Sequence, residues 1–160
     1  MDLKFLNATV ITCDGERRVL REGGVVVKGD RIKAVGPSDE IAALHAYLPT
    51  IDARGKAILP GIVNAHTHVL LLALRGTIED MGAEAIYGYM TPISFAMTPD
   101  EREAISLLGC LEAIRSGTTT LVEPFRHVVN YAGTMAGTGM RLYFRETCAA
   151  APPAQVHTAG

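Results

Sequence analysis

Short β-type runs separated by turn signals fill the first third of the chain. From residue 58 onward, strand-like runs alternate with helical ones. Residues 3–13 (LKFLNATVITC) read as a strand rich in β-branched side chains, and the Asp14-Gly15 pair that follows is a turn signal. Val25, Val26, Val27 and Lys28, then Gly29-Asp30, then residues 31–37 read as a tight β-hairpin with a two-residue loop. Ser38 is positioned to cap a short helix over 39–47, and Thr50, Ile51, Asp52 and Ala53 form another short strand. Gly55-Lys56 then turns the chain. The expectation for residues 1–57 is small antiparallel β-structure.

The run LPGIVNAHTH at 59–68 predicts an apolar strand ending in two histidines. Side chains on a strand alternate faces, so His66 and His68 should point the same way, with Thr67 opposite. Residues 77–97 are long and mixed, and read as an insertion on the active-site side with some helix. Thr98, Pro99 and Glu101 spell a helix start, with Thr98 as N-cap, proline in the first turn and a capping box closed by Glu101. Ala104, Ile105, Leu107, Leu108, Leu111 and Ile114 follow as an apolar stripe expected to face the core, and Gly117 stops the helix. Residues 118–122 read as a buried strand, 128–138 as a second helix ending at Gly139, and 141–144 as a third strand. Strand, helix, strand, helix, strand implies right-handed crossovers in a parallel sheet. The Ala/Pro-rich residues 149–160 lack periodicity and read as a flexible tail. The expected division is therefore 1–57, 58–148 and 149–160.

The 160 residues suit one domain or two small ones, and a composition 48% hydrophobic and 20% charged supplies ample core material. A net charge of −2 with no Lys/Arg run argues against nucleic-acid and anionic-membrane partners. Three widely spaced cysteines, Cys13, Cys110 and Cys148, make neither a disulfide framework nor a cysteine zinc site. They fit a reducing compartment. The N-terminus has no apolar signal region, and the apolar run at 69–74 is far too short to span a bilayer. The expectation is a cytoplasmic protein.

Neutral imidazole suits borderline divalent metals, zinc first, with iron, manganese and nickel also compatible. Catalytic zinc sites use three protein ligands and keep a position for water, whose pKa the metal lowers to about 7. A neighbouring acid or base then moves protons to the leaving group. Two histidines alone cannot do all of this.

Three strings in order, GVVVKGDRIKAVG at 24–36, GKAILPGIVNAHTH at 55–68 and SGTTT at 116–120, resemble the amidohydrolase superfamily, especially its cytosine deaminase/chlorohydrolase-like branch. The resemblance covers roughly residues 3–148. It implies an α/β fold, a metal-dependent (β/α)8 TIM-type barrel preceded by a small β-sandwich subdomain. It also implies hydrolysis of carbon–nitrogen bonds other than peptide bonds by a metal-bound hydroxide, often deamination of a heterocycle, sometimes dehalogenation. The expected substrate is a small nitrogen heterocycle or amide. His66 and His68 match the family's first two metal ligands. The family's third histidine ligand, its proton-handling histidine, a following glutamate and an aspartate of the last strand have no counterpart here. A whole barrel needs about 250 residues, and 58–148 supply about three of its eight units. The reading is thus an N-terminal portion, apparently incomplete. The alternatives are an inactive truncated relic, half of a split enzyme that needs a complementing chain or self-association, and a small metal-binding module.

In such a barrel, residues after the strands face the active site. Glu123 and His127 follow the second strand, and Arg145 and Glu146 the third. Glu123, His127 and Arg145 are the substrate-binding candidates, weighed against ordinary loop charges or an Arg–Glu pair. Arg75 and Glu79 hold a weaker version of that position after the first strand. His45 and His157 are expected to be solvent-exposed, Cys110 to be a small core side chain, and Cys148 to lie near the site without a base. In a partial barrel some of the helical stripe would be exposed and favour association.

Overall fold

The computed structural model describes residues 1–147. The chain forms two compact units, Met1–Pro60 and the segment from Gly61 onward. In the first, β1 (Asp2–Ile11), β2 (Val19–Lys28) and β3 (Arg31–Pro37) make an antiparallel meander, with Lys28 opposite Arg31 across the expected two-residue hairpin loop. The sheet is not purely antiparallel as expected. β4 (Thr50–Asp52) and β5 (Ala57–Ile58) add to the free edge of β1 in parallel, because the crossover through α1 (Ser38–Leu44) returns the chain in the direction of β1. The consecutive valines of β2 serve two faces. Val25 packs with Ala8, Val10 and Ala53, and Val26 packs with Ile41 of α1 and Leu48.

Ser38 does not cap α1. Asn7 interrupts the β1–β2 register with φ 64°, a left-handed conformation that asparagine tolerates. Its N–H donates to Ser38 Oγ at 2.7 Å, and the Ser38 hydroxyl donates to Gly23 O at 2.9 Å. The serine is thus engaged with the irregularity in the sheet, Pro37 occupies the cap position, and α1 stops three residues short of the expected end. His45 is half-buried, not exposed, and its carbonyl accepts from Nζ of the buried Lys4 at 2.8 Å.

In the second unit β6 (Ile62–Asn64), β7 (Thr118–Glu123) and β8 (Arg141–Phe144) form a parallel sheet in chain order. Helix α3 (Pro99–Arg115) joins β6 to β7, and the short α4 (Ala132–Ala136) joins β7 to β8. The segment 77–97 does contain helix: a wide helical turn, Ile86–Met90, runs into α2 (Thr91–Ala96). Both halves of the Thr98/Glu101 capping box are formed, and Gly117, at φ 87°, reverses the chain into β7 where a side chain would be strained. The expected helix over 128–138 is instead a single tight turn, Val128–Asn130, followed by α4.

One feature of β6–β7 explains the Pro60-Gly61 pair. Ile62 pairs with Thr118 and Val63 with Thr120, so Thr119 is an extra, unpaired residue on β7. Its side chain lies over Gly61, where a Cβ would stand 2.7 Å from Thr119 Cβ and closer still to its two terminal atoms.

The α3 stripe is oriented otherwise than expected. Leu107, Leu108, Leu111 and Ile114 are exposed, Leu111 to 48%. The buried face carries Arg102, Ser106 and Cys110, with Ile105 and Ala113 packed beside it. The reason is proximity: Gly109 lies so close to Val69 that a Cβ there would be 3.0 Å from Val69 Cβ. Small residues let the helix approach, and the leucines turn outward. The core itself is Val69, Leu70, Met97, Cys110, Leu121, Phe125, Val128, Tyr131, Met135 and Met140. The expected tail at 149–160, with Cys148 and His157, lies outside the described residues.

Candidate metal centre

The strand carrying the histidines ends earlier than the pattern predicts. β6 stops at Asn64, whose side-chain oxygen accepts the N–H of His66 at 3.2 Å and bends the chain. Pairing resumes for one residue, as Thr67 N–H donates to Val122 O at 3.0 Å. That single anchor, not a continuous ladder, leaves His66 and His68 on a common side. Their Nε2 atoms are 3.1 Å apart, with the rings edge-to-face at 74°. His66 is exposed and His68 is 28% exposed.

Behind His68 stands Glu123, the last residue of β7 and fully buried. Its Oε2 accepts the N–H of Val69 at 2.8 Å. Its Oε1 lies 3.6 Å from Nδ1 of His68, too far for a hydrogen bond, and both atoms are buried with no hydrogen-bond partner among the described residues. Phe125 packs against the imidazole, with ring centroids 4.5 Å apart.

Two convergent imidazole nitrogens fit a divalent ion. Ligands at roughly 2.0–2.1 Å from tetrahedral zinc stand about 3.3 Å from one another, close to the Nε2–Nε2 spacing of 3.1 Å. A carboxylate behind one of the rings is also the usual surrounding of a metal-binding histidine. Among the described residues no group of three histidine, cysteine, aspartate or glutamate side chains is gathered to hold a metal.

The other candidates have local roles. His127 sits in a left-handed conformation at φ 57°. Its N–H and that of Val128 donate to the two carboxylate oxygens of Glu146, at 2.6 and 2.7 Å. Its ring meets Phe95 edge-on at 5.3 Å, and its Nε2 is buried without a hydrogen-bond partner among the described residues. Burial, helped by the charges of Arg102 and Arg126 and opposed by Glu146, holds the His127 pKa below its ordinary value. Arg145 is exposed, and its backbone N–H donates to Glu123 O at 3.1 Å, extending the β7–β8 pairing. Arg75 makes a two-pronged ion pair with Glu112 of α3, at 2.9 and 2.6 Å, and Glu79 accepts from the N–H groups of Gly76 and Ile78.

The amidohydrolase family model matches residues 57–155, and an imidazolonepropionase-like composite domain of bacteria matches residues 23–46. The chain belongs to the amidohydrolase family. A 5-methylthioadenosine/S-adenosylhomocysteine deaminase of Syntrophobacter fumaroxidans is 36% identical over 139 residues, covering 85% of this chain and 32% of that protein. The structure is similar to a triazine hydrolase from Arthrobacter aurescens, with TM-score 0.73, 25% identity, and coverage of 89% of this chain and 35% of that one. It is also similar to an adenosine deaminase from Xanthomonas campestris with bound zinc, with TM-score 0.71, 25% identity, and coverage of 88% and 33%. The chain thus spans about a third of the length of the amidohydrolase-family proteins it matches.

The histidine pair is visible in the sequence, but its support from Glu123 is not. Glu123, a substrate-binding candidate from its place after the second strand, is instead fully buried with its carboxylate on Val69 N–H, and nothing local marks a carboxylate at the end of a strand as buried. The available signal was positional: it ends the strand adjacent to the histidine-bearing one, at the height of His68. Arg126, which stands 5.6 and 5.4 Å from the rings of Phe95 and Phe125, was missed as well. Arginine between aromatics in the stretch 125–127 was its only cue.

Proposed function

We propose that this chain contributes the first metal ligands of a metal-dependent hydrolase acting on carbon–nitrogen bonds other than peptide bonds, with a small nitrogen-heterocycle substrate of the kind deaminated by the relatives. The convergence of His66 and His68 Nε2 atoms at 3.1 Å carries the reading. His66 and His68 hold the ion, and zinc is favoured by an all-imidazole donor pair and by the zinc in the similar adenosine deaminase. Such an ion supplies activation of water and polarisation of the carbon under attack. The residues of this chain hold and orient it, while further ligands and the proton-handling groups come from outside the described residues.

In this reading residues 1–57 are the N-terminal part of a β-sandwich subdomain and 58–148 the first βα units of a barrel. His127 and Arg145 follow β7 and β8, where barrel enzymes place groups that touch substrate. No helix among the described residues is long and apolar enough to cross a membrane. A second reading, half an enzyme completed by another polypeptide or by self-association, is favoured by the outer strands of the second sheet, which pair with no further strand among the described residues and where Val63 of β6 and Tyr143 of β8 are exposed.

The test is the metal content of the purified 160-residue chain beside its His66→Ala/His68→Ala double variant, with circular dichroism on both. The expected result is bound zinc that the double variant loses while its secondary structure is kept. Equal metal content in the two would overturn the ligand assignment.

A further inference from the structure

Resting on the ligand assignment above, we infer that Glu123 is a positioning residue that fixes the tautomer of His68, holding its proton on Nδ1 so that the lone pair of Nε2 faces the metal position. Three observations carry this. The first is that two buried polar atoms, Glu123 Oε1 and His68 Nδ1, have no hydrogen-bond partner among the described residues and face each other at 3.6 Å. Buried polar groups left unpaired are costly, so a small movement that closes this gap into a hydrogen bond is favourable. An ionised carboxylate only accepts hydrogen bonds, so with Glu123 in that form the donor across the gap is the imidazole through Nδ1.

The second observation is that the carboxylate is itself fixed. Its other oxygen accepts from Val69 N–H at 2.8 Å, and the residue is fully buried at the end of β7. It therefore cannot follow the imidazole wherever the ring turns. The third is that the ring has little freedom. Phe125 packs on it at 4.5 Å, and the Thr67–Val122 hydrogen bond sets its height against β7. One consequence concerns the partner histidine. With His68 Nε2 unprotonated, the 3.1 Å approach of the two Nε2 atoms requires His66 to donate through its own Nε2–H when no metal is bound. Metal binding then needs a tautomer change at His66 only, and His68 is ready beforehand.

Glutamine in place of Glu123 keeps the shape but offers one acceptor and one donor to two donors. Either Val69 N–H or His68 Nδ1 loses its acceptor, and the amide N–H2 favours a His68 that accepts at Nδ1 and carries its proton on Nε2. The experiment is nitrogen-15 NMR of the histidine rings in the metal-free 160-residue chain, in wild type, Glu123→Gln and Glu123→Asp. It is paired with zinc titration against a chromophoric chelator.

The expected spectrum shows His68 protonated on Nδ1 in wild type, switched toward Nε2 in Glu123→Gln, and partly restored in Glu123→Asp. Zinc affinity falls about 10–100-fold in Glu123→Gln, the size typical of losing a carboxylate behind a ligating histidine. A wild-type His68 protonated on Nε2, or a tautomer unchanged in a folded Glu123→Gln, overturns the inference. The wild-type spectrum decides the question even where Glu123→Gln does not fold. It also decides where the His66→Ala/His68→Ala comparison shows no metal bound, so the two readings fail separately.

Discussion

Substituting Gly61 with alanine tests whether the strand bulge at Thr119 dictates glycine in the Pro-Gly pair. The new methyl would stand 2.7 Å from Thr119 Cβ and even nearer to Oγ1 and Cγ2. Thr119 is held between Thr118 and Thr120, both paired with β6, so backbone must move to relieve the clash. Overpacking of this kind costs about 1–3 kcal/mol. Alanine also restricts the unfolded chain, which offsets about 0.4–1 kcal/mol of that loss. Taking the middle of each range, the net expectation is a destabilisation of about 1.3 kcal/mol, with a fall in melting temperature of about 2–4 °C for each kcal/mol.

Urea unfolding followed by circular dichroism reads the loss as a lower midpoint at unchanged slope. Hydrogen exchange at Ile62 N–H, which donates to Gly117 O at 2.9 Å, places it at β6–β7. Thr119→Ala alone changes an exposed side chain and should stay within about 0.5 kcal/mol. The double variant should recover part of the loss, giving a coupling of at least about 0.5 kcal/mol. Recovery is incomplete because Cβ of residue 119 remains. An unchanged midpoint for Gly61→Ala, or strictly additive effects, would refute the argument.

The close approach of α3 predicts an inverted pattern of tolerance. Cys110→Leu should cost about 1–3 kcal/mol by overpacking, whereas Leu111→Ala, at a half-exposed site, should fall within about 1 kcal/mol of wild type; urea midpoints of both variants check this. For His127, the pKa lies below that of the unfolded chain because burial and two arginines disfavour its charge. The unfolded state therefore takes up the proton first as pH falls, so stability is full above about 6.5 and declines as the medium is acidified below it. His127→Asn, which keeps a side chain tolerant of the left-handed backbone, should flatten that decline between pH 7 and pH 5. An equal slope in the two proteins would show that other groups set it.

Much of the second unit was legible because its signals are local. The capping box at Thr98 and Glu101, the stop at Gly117 and the strand at 141–144 all follow from neighbouring residues. The orientation of α3 was not legible, because its leucines and its small residues define two competing faces. Only the distance to Val69 decides which one is buried. At the site, the shared side of His66 and His68 was readable from their spacing. Its cause was not, since the strand breaks at Asn64 and a single hydrogen bond from Thr67 restores the alternation. Glu123 and Glu146 were visible as charges but not as acceptors, because their partners lie 54 and 19 residues away or nearly so.

The grip of Glu146 on the turn after β7 has a practical meaning for anyone exchanging segments between relatives. The segment following one strand is fastened by a carboxylate supplied after the next, so these segments are not interchangeable cassettes. A graft that brings in a new stretch at 126–131 but leaves residue 146 unmatched would release the N–H groups of residues 127 and 128 together. Retargeting this protein by recombination therefore calls for crossovers placed beyond both stretches, so that the lock and its key are inherited as one block.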